Sequence, residues 1–437
     1  MNKYQQIIGQ IQYYVFLAVV ALLPLPQIFL RYACVTWIVL WLLEGRWLSK
    51  PSFSSPAGPF RFYIPFLLFG AWYIWKIVSG LWVENIGSWS TQMERCMTFG
   101  MLIPVGIWGV NRQYDWRQVG KVLVISCLLA LPLYLIIVTA LYYHHDWMDT
   151  LQWAGWNNDI TYWHTYFSEN ITVLKHRLYL CAVELLGAIV AYRLLEDKPV
   201  HRFGSIAIML SAIPLTGSRQ SILTAVALFV IAAIYALPKE QRKRWTAGII
   251  VIGLTVGGGL LKLHPRMQQF DLNNIIHLTD VHYTHDIRFN IWGAGLQHPE
   301  DYLWTGVGAG QSRAYMQERY NEVGFPYYAE REFNCHNQYL EELIELGVFG
   351  LLLFLLAWLS IPLCARDQTR QTAWLFTALF MMDMFTECVF GRFDGIALWA
   401  VGMIILLLEQ TSVPLEADTE SAQQTARDTH THRTTSV

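Results

Sequence analysis

His336 and its neighbours are the first place where this 437-residue chain reads as chemistry. The run Asn334-Cys335-His336-Asn337-Gln338 leads into an apolar stretch, which predicts His336 in or just before the first turn of a helix. The positive end of a helix dipole disfavours the imidazolium, and a neutral ring there accepts a proton. Asn337 and Gln338 add substrate-binding hydrogen-bond groups beside it, and Gly347 with Gly350 supplies a small-residue patch for close helix packing. An N-capping or interfacial histidine is the other role this position allows. A second group is Thr216-Gly217-Ser218-Arg219, ahead of another apolar helix. With Thr216 or Ser218 as cap, the free N–H groups of that helix and the Arg219 guanidinium form an anion site, suited to carboxylate or phosphate. Snorkelling of Arg219 to lipid headgroups is the alternative. The third group is Arg266 and Arg288, two basic residues in a long polar loop. Arg313, Arg319 and Arg331 share that loop, where pairing with Glu318, Glu322, Glu330 and Glu332 on a solvated face is the simpler use of an arginine.

Metal chemistry finds less support. His282 with His285, and His144 with His145 and Asp146, lack third and fourth ligands at closed-site spacing, and no Asp-x-Asp occurs in the chain. No metal and no cofactor are expected. Glu184, Asp383 and Glu387 lie inside apolar runs and raise a different possibility, since intramembrane carboxylates relay ions or protons in transporters.

The elements that must position these groups are membrane helices. The chain is 54% hydrophobic and 15% charged, against about 45–50% and about 25% in soluble proteins. That composition excludes a soluble multidomain enzyme. A formal charge of −2 points to neither a nucleic-acid nor an acidic-substrate partner, and no nucleic acid is expected. Apolar stretches fall near 12–30, 32–46, 62–83, 96–111, 118–143, 177–194, 203–215, 220–237, 246–262, 341–363, 371–390 and 395–409, which predicts about twelve transmembrane helices in an all-α polytopic protein. The first is expected to stay uncleaved: Lys3 precedes it, but Pro24 and Pro26 follow it without a small-residue cleavage site. Every second loop is basic, including Arg112, Arg117 and Lys121, then Lys239, Arg242, Lys243 and Arg244. By the positive-inside rule those loops and both termini are cytoplasmic.

Two loops on the other side are long. Residues 144–176 are rich in Trp, His and Tyr, and residues 263–340 are expected to form a small, largely helical outward domain. The expected divisions are therefore 1–262 (nine helices), 263–340 (loop domain), 341–409 (three helices) and a disordered cytoplasmic tail, 410–437. The 7 cysteines sit mostly in apolar runs, so no structural disulfide is expected.

One family shares these landmarks. His336-Asn337, nine residues, then Gly347 and Gly350, resembles the signature of the O-antigen ligase superfamily: a histidine followed by Asn, Ser or Gln, nine residues, Gly, two residues, and Gly, Thr or Tyr. Arg288-Phe289-x-x-Trp292, followed by Gly306-Val307-Gly308-Ala309-Gly310, resembles the order of landmarks in the family's long loop, and Thr216–Arg219 resembles its short basic turn. The superfamily also contains Wzy-type polymerases and bacterial O-oligosaccharyltransferases. The resemblance implies a GT-C type glycosyltransferase of the bacterial inner membrane with a periplasmic loop. Such an enzyme moves a glycan from undecaprenyl pyrophosphate to an acceptor hydroxyl, commonly on lipid A-core. It implies His336 as base, with Arg219, Arg288 and Arg266 facing the pyrophosphate, and membrane lipids and the two glycolipids as partners. A multi-span transporter is the competing class.

Overall fold

The computed structural model describes residues 3–48, 60–108, 114–144, 167–168, 170–263 and 287–412. Arg266, the histidine pairs at 282/285 and 144–146, and the tail from 413 lie outside the described residues, apart from the backbone of His144. The described chain is helical throughout. Its first half contains α1 (Lys3–Leu22), α2 (Gln27–Glu44), α3 (Ile64–Val78), α4 (Ile86–Trp108), α5 (Trp116–His144), α6 (Arg177–Leu194), α7 (Pro199–Leu210) and α8 (Ala212–Thr216). Then come α9 (Arg219–Ala236), α10 (Lys239–Leu263), α11 (Ile287–Gly295), α12 (Ser312–Glu322), α13 (Pro326–Glu330), α14 (Gln338–Cys364), α15 (Arg370–Asp383) and α16 (Phe393–Ser412).

Among the described residues, 7 helices are long and apolar enough to cross a membrane, namely α1, α2, α3 with the turn after it, α5, α9, α14 and α16. The chain is a multi-pass membrane protein. The described parts of the expected apolar stretches lie largely on helix, but three do not take the form expected: 12–30 is divided between α1 and α2 by residues 23–26. The stretch 203–215 is divided between α7 and the five-residue α8. The stretch 371–390 stops being α-helix at Asp383, and residues 384–392 are a loop with one 3-10 turn, Val389–Gly391.

A helix that is apolar all round belongs at the centre of a bundle. α16 is such a helix: every residue from Asp394 to Gln410 is buried. Lipid chains are as apolar as leucine, so burial from water does not drive these helices together and close packing must. Aromatic rings supply it around α16. Trp399 meets Phe69 of α3 and Phe99 of α4 at ring-centre distances of 4.9 and 4.5 Å, and Trp358 of α14 stacks on Phe380 of α15 at 5.1 Å. Each such pair contributes about 0.5–1.5 kcal/mol beyond the area it buries.

The most consequential local feature is a break in α14. Gly347 has φ 67° and ψ −172°, outside the helical region and accessible essentially only to glycine. The segment from Leu303 to Gly310 crosses the break. Val307 N donates to Ile344 O at 2.9 Å, Gly308 N to Glu345 O at 2.9 Å, and Val348 N to Leu303 O at 2.7 Å. The Trp75 indole takes Leu346 O at 3.1 Å. Thus the main-chain groups freed by the break are met from outside the helix. A Cβ on Gly347 would lie 2.2 Å from Trp304 O, and one on Gly306 2.2 Å from Glu345 O. Gly347 is therefore a crossing point of two backbones, which corrects the expectation of a helix-packing patch.

Lys76 of α3 seals the adjoining turn of α14, with Nζ 3.2 Å from Glu342 and 3.1 Å from Glu345. Trp72 Nε1 donates to Glu342 Oε2 at 2.9 Å, and Glu345 Oε1 accepts from Gly310 N and Ser312 Oγ, both at 2.9 Å. Beyond the break, residues 287–340 build their own core from Ile291, Tyr302, Tyr315, Met316, Tyr320 and Tyr328. That core runs on into Ile344 and Cys388, so the small helical unit is seated on the N-terminal end of α14.

Candidate functional site

The C-terminal end of α15 organises the site. A helix leaves its last carbonyls without intrahelical donors, and here side chains and one backbone amide from elsewhere take them up. Tyr339 OH donates to Met381 O at 2.7 Å, Gln220 Nε2 to Met382 O, and Gln338 N to Met384 O at 2.9 Å. In the loop that follows, Asn337 Nδ2 donates to Phe385 O at 3.1 Å and Arg288 Nε to Thr386 O at 3.3 Å. The Tyr179 hydroxyl donates to Val389 O at 3.3 Å. One run of main chain, 381–389, thereby gathers α6, α9, α11 and α14.

The sequence-predicted residues distribute themselves along this run. Ser218 is the cap of α9: its hydroxyl accepts from Ser221 N at 3.4 Å, and Arg219 is the first helical residue. Thr216, the other expected cap, is instead buried against Cys181, 3.1 Å away. Gln220 on Met382, with Thr224 donating to Asp383 Oδ1 at 2.7 Å, fixes the N-terminus of α9 at the end of α15. The N-terminus of α14 arrives two residues further along, at Met384. Two helix N-termini therefore meet beside the same loop, with Ser221 N, Gln338 N and Leu340 N taken up by Ser218, Met384 O and Asn337.

His336 is the residue before the cap of α14. The cap itself is Asn337, whose Oδ1 accepts from Leu340 N at 3.0 Å. The expected alternative, that His336 is itself the cap, is thereby excluded by the geometry. His336 has φ 42°, a left-handed conformation a side chain rarely adopts, and Asn334 Oδ1 holds its backbone N–H at 3.1 Å. Strain of this kind costs about 1–3 kcal/mol and persists where neighbours enforce it.

The His336 imidazole is 27% exposed and its Nδ1 faces Glu387 Oε2 at 3.5 Å. Nδ1 itself is buried and has no closer partner. A proton on Nδ1 toward the carboxylate leaves Nε2 as the accepting nitrogen. Glu387 lies in the loop beyond α15, outside the helices. Burial alone would push its carboxyl up, but the contact with His336, together with His176 and Arg392, holds it below the ordinary value. Sequence reading had set Glu387 aside as a transport carboxylate; its partner in the structure is the histidine. His176, just before α6, was not singled out either. Burial takes its imidazole below the ordinary value, Glu387 opposes that, and Arg392 and Arg177 reinforce it.

The other predicted residues divide. Arg288 is at the site, bonded to Thr386, next to Glu387 in the chain. Asn337 is committed to the cap and to Phe385 O. Gln338 is buried, its amide nitrogen donating to Glu341 and Glu342 at 3.1 and 2.9 Å and its oxygen accepting from Phe390 N at 2.8 Å, so its polar atoms are all engaged within the protein. Asp383, the other transport candidate, accepts from Thr224 in the interior.

Residues 204–355 match the family model described as O-antigen ligase. No curated protein matches the chain. The matched stretch contains Arg219, Arg288 and His336, in agreement with the resemblance read from the sequence. It ends before Phe385 and Glu387, so the loop that assembles the site lies outside it.

Proposed function

We propose that the protein is an inverting O-antigen ligase. It transfers a glycan from undecaprenyl pyrophosphate to a lipid A-core acceptor, without metal, at the periplasmic face of a bacterial inner membrane. In this reading the fold is of GT-C type with twelve spans, both termini cytoplasmic, and the α11–α13 unit periplasmic. The observation that carries it is the meeting of a partly exposed, carboxylate-backed histidine with two helix N-termini and Arg288 at one loop. A base next to cationic groups suits attack by a hydroxyl on a carbon whose leaving group is a phosphate.

In this reading His336 is the base and the arginines face the leaving group. His336 Nε2 takes the proton of the acceptor hydroxyl as its oxygen bonds to the anomeric carbon from the side opposite the phosphate. The bond from that carbon to the phosphate oxygen breaks, its electron pair leaves with undecaprenyl pyrophosphate, and the anomeric centre inverts. Glu387 keeps the proton on Nδ1 and stabilises the imidazolium that forms. Arg288 and Arg219, with Arg266, meet the charge that develops on the pyrophosphate.

The test uses full-length protein in liposomes with an undecaprenyl-pyrophosphate-linked glycan and lipid A-core. A new glycan–core conjugate, with free undecaprenyl pyrophosphate released, is expected. Carrier translocation without conjugate would assign the protein to transport instead. A longer lipid-linked glycan formed without core would make it a polymerase, and a glycan found only on added protein would make it an oligosaccharyltransferase. The facing of the site is checked with Arg313→Cys, an exposed position, which should react with an impermeant thiol reagent without breach of the inner membrane.

A further inference from the structure

Phe385 is out of place by packing alone. In the loop 384–390 its neighbours Met384, Glu387, Cys388, Val389 and Phe390 are all buried, yet its ring is 54% exposed. The loop's backbone holds it there, since Phe385 O is the acceptor for the α14 cap residue Asn337 and Phe385 N donates to Met382 O at 3.2 Å. Its ring meets Trp292 edge-on, 5.7 Å between centres at 76°. The indole Nε1 of Trp292 is shielded from solvent and has no hydrogen-bond partner.

Trp292 and Arg288 are four residues apart on α11, and so share one face of that helix. Both lie against the same two loop residues: Trp292 on Phe385, Arg288 on Thr386 O. A cation suited to a phosphate is thus flanked by an exposed aromatic ring that a second ring backs. Two residues beyond Phe385, Glu387 faces His336. A pyranose offers an apolar ring face for an aromatic. The pyranose that must lie next to the pyrophosphate is the one bonded to it.

We infer that Phe385, backed by Trp292, is the platform for the first sugar of the lipid-linked donor, adjoining Arg288 at its phosphate. This rests on the transfer reading above and deepens it. It makes the loop after α15 a determinant of which glycan is accepted, and assigns the recognition to the sugar rather than to the polyprenyl tail.

The experiment compares unaltered full-length protein with Phe385→Ala, Phe385→Trp and Trp292→Phe in liposomes. The probes are an undecaprenyl-pyrophosphate-linked glycan, sugar-free undecaprenyl pyrophosphate and lipid A-core. Phe385→Ala should raise the KM for donor roughly three- to ten-fold, the usual worth of one aromatic contact, with the KM for lipid A-core unchanged. Phe385→Trp should restore donor KM, and Trp292→Phe, which keeps a ring behind Phe385, should stay close to the unaltered value. Retention of radiolabelled sugar-free carrier should be the same for all four proteins. Equal weakening of sugar-free and glycan-bearing carrier by Phe385→Ala would make Phe385 a lipid contact and overturn the inference. A raised KM for lipid A-core alone would place the acceptor there and overturn it as well. Absence of transfer by the unaltered protein would instead sink the transfer reading, and donor retention against sugar-free carrier would still decide the role of Phe385.

Discussion

The interruption of α14 at Gly347 and the loop after α15 both take main chain out of helix inside a bundle of membrane helices. There, an unmet N–H or C=O costs several kcal/mol. The two places meet that cost differently. At Gly347 the partners are mostly backbone: the 303–310 segment and α14 exchange N–H and C=O groups at 2.7–2.9 Å, and the adjoining Lys76, Glu342 and Glu345 are 2%, 0% and 1% exposed. After α15 most of the partners are side chains, Gln220, Arg288, Asn337, Tyr179 and Tyr339, and the arrangement leaves His336 partly exposed and Phe385 exposed. The first is a closed joint, the second an assembly with a working face. A glycine-rich run is a familiar cradle for phosphate, but here the N–H groups of Gly306 to Gly310 are spent on Tyr302, Ile344, Glu345 and Ser79. In the proposed reaction the pyrophosphate is therefore met at the other interruption.

That contrast is broken most directly at His336. With Asn337 intact as the cap, His336→Asn should fold normally and lose about 10²–10⁴ of the transfer rate, the worth of a positioned acid–base group. His336→Gly, which relieves the φ of 42° but leaves the buried Glu387 without its partner, should also fail to transfer. Substantial transfer by His336→Asn would end the base role. Next in size is Arg288→Lys, expected to lose about 10²–10³ in rate: lysine lacks the fork that can serve Thr386 O and an oxyanion together. Near-normal turnover would move Arg288 into the supporting structure.

The closed joint should respond in the opposite currency, stability instead of rate. Gly347→Ala places a Cβ 2.2 Å from Trp304 O and asks alanine for a backbone conformation essentially reserved for glycine, which by itself costs about 1–3 kcal/mol. Folded yield and melting temperature should drop while turnover per folded molecule stays near normal. A well-folded Gly347→Ala protein with no transfer would show that the joint takes part in the chemistry and would erase the distinction between the two regions.

The sequence was informative where a side chain announces its own use. The helix at 338, its start just after His336, the Ser218 cap and the apolar stretches were all legible, because capping chemistry and hydropathy are local. The role of the 381–389 run was not. Its contribution is a row of backbone carbonyls, and every residue type has one, so Met381, Met382, Met384 and Thr386 carry no signal. Glu387 was seen and read as a transport carboxylate, since its pairing with His336 spans 51 residues of chain that no local pattern connects. Gly347 was read as a packing glycine for a related reason: its φ is imposed by a segment some forty residues earlier, at Trp304.

The smallest effect expected is also the one that tests how far the working face extends. His176 stands at the start of α6 with Nδ1 shielded and unpartnered, and Glu387 links it electrostatically to the loop of His336. Its folded pKa lies below the ordinary value of about 6.5. Below that pH the unfolded chain therefore binds more protons than the folded one, and stability falls as pH drops until the folded group itself is protonated. Neighbouring groups act in other windows. Glu387, also lowered, costs stability only below about 4.5. Lys175, lowered by burial against the pull of Asp394, acts only on the alkaline side. Melting temperatures of unaltered protein and His176→Gln, followed from pH 7 to pH 5, isolate the histidine. The unaltered protein should lose stability more steeply across that interval, while transfer at pH 7.5 stays within about two-fold, because His336 and not His176 takes the proton. Parallel loss in the two proteins would remove His176 from the acid response. A collapse of transfer in His176→Gln at pH 7.5 would draw it into the working face beside Glu387.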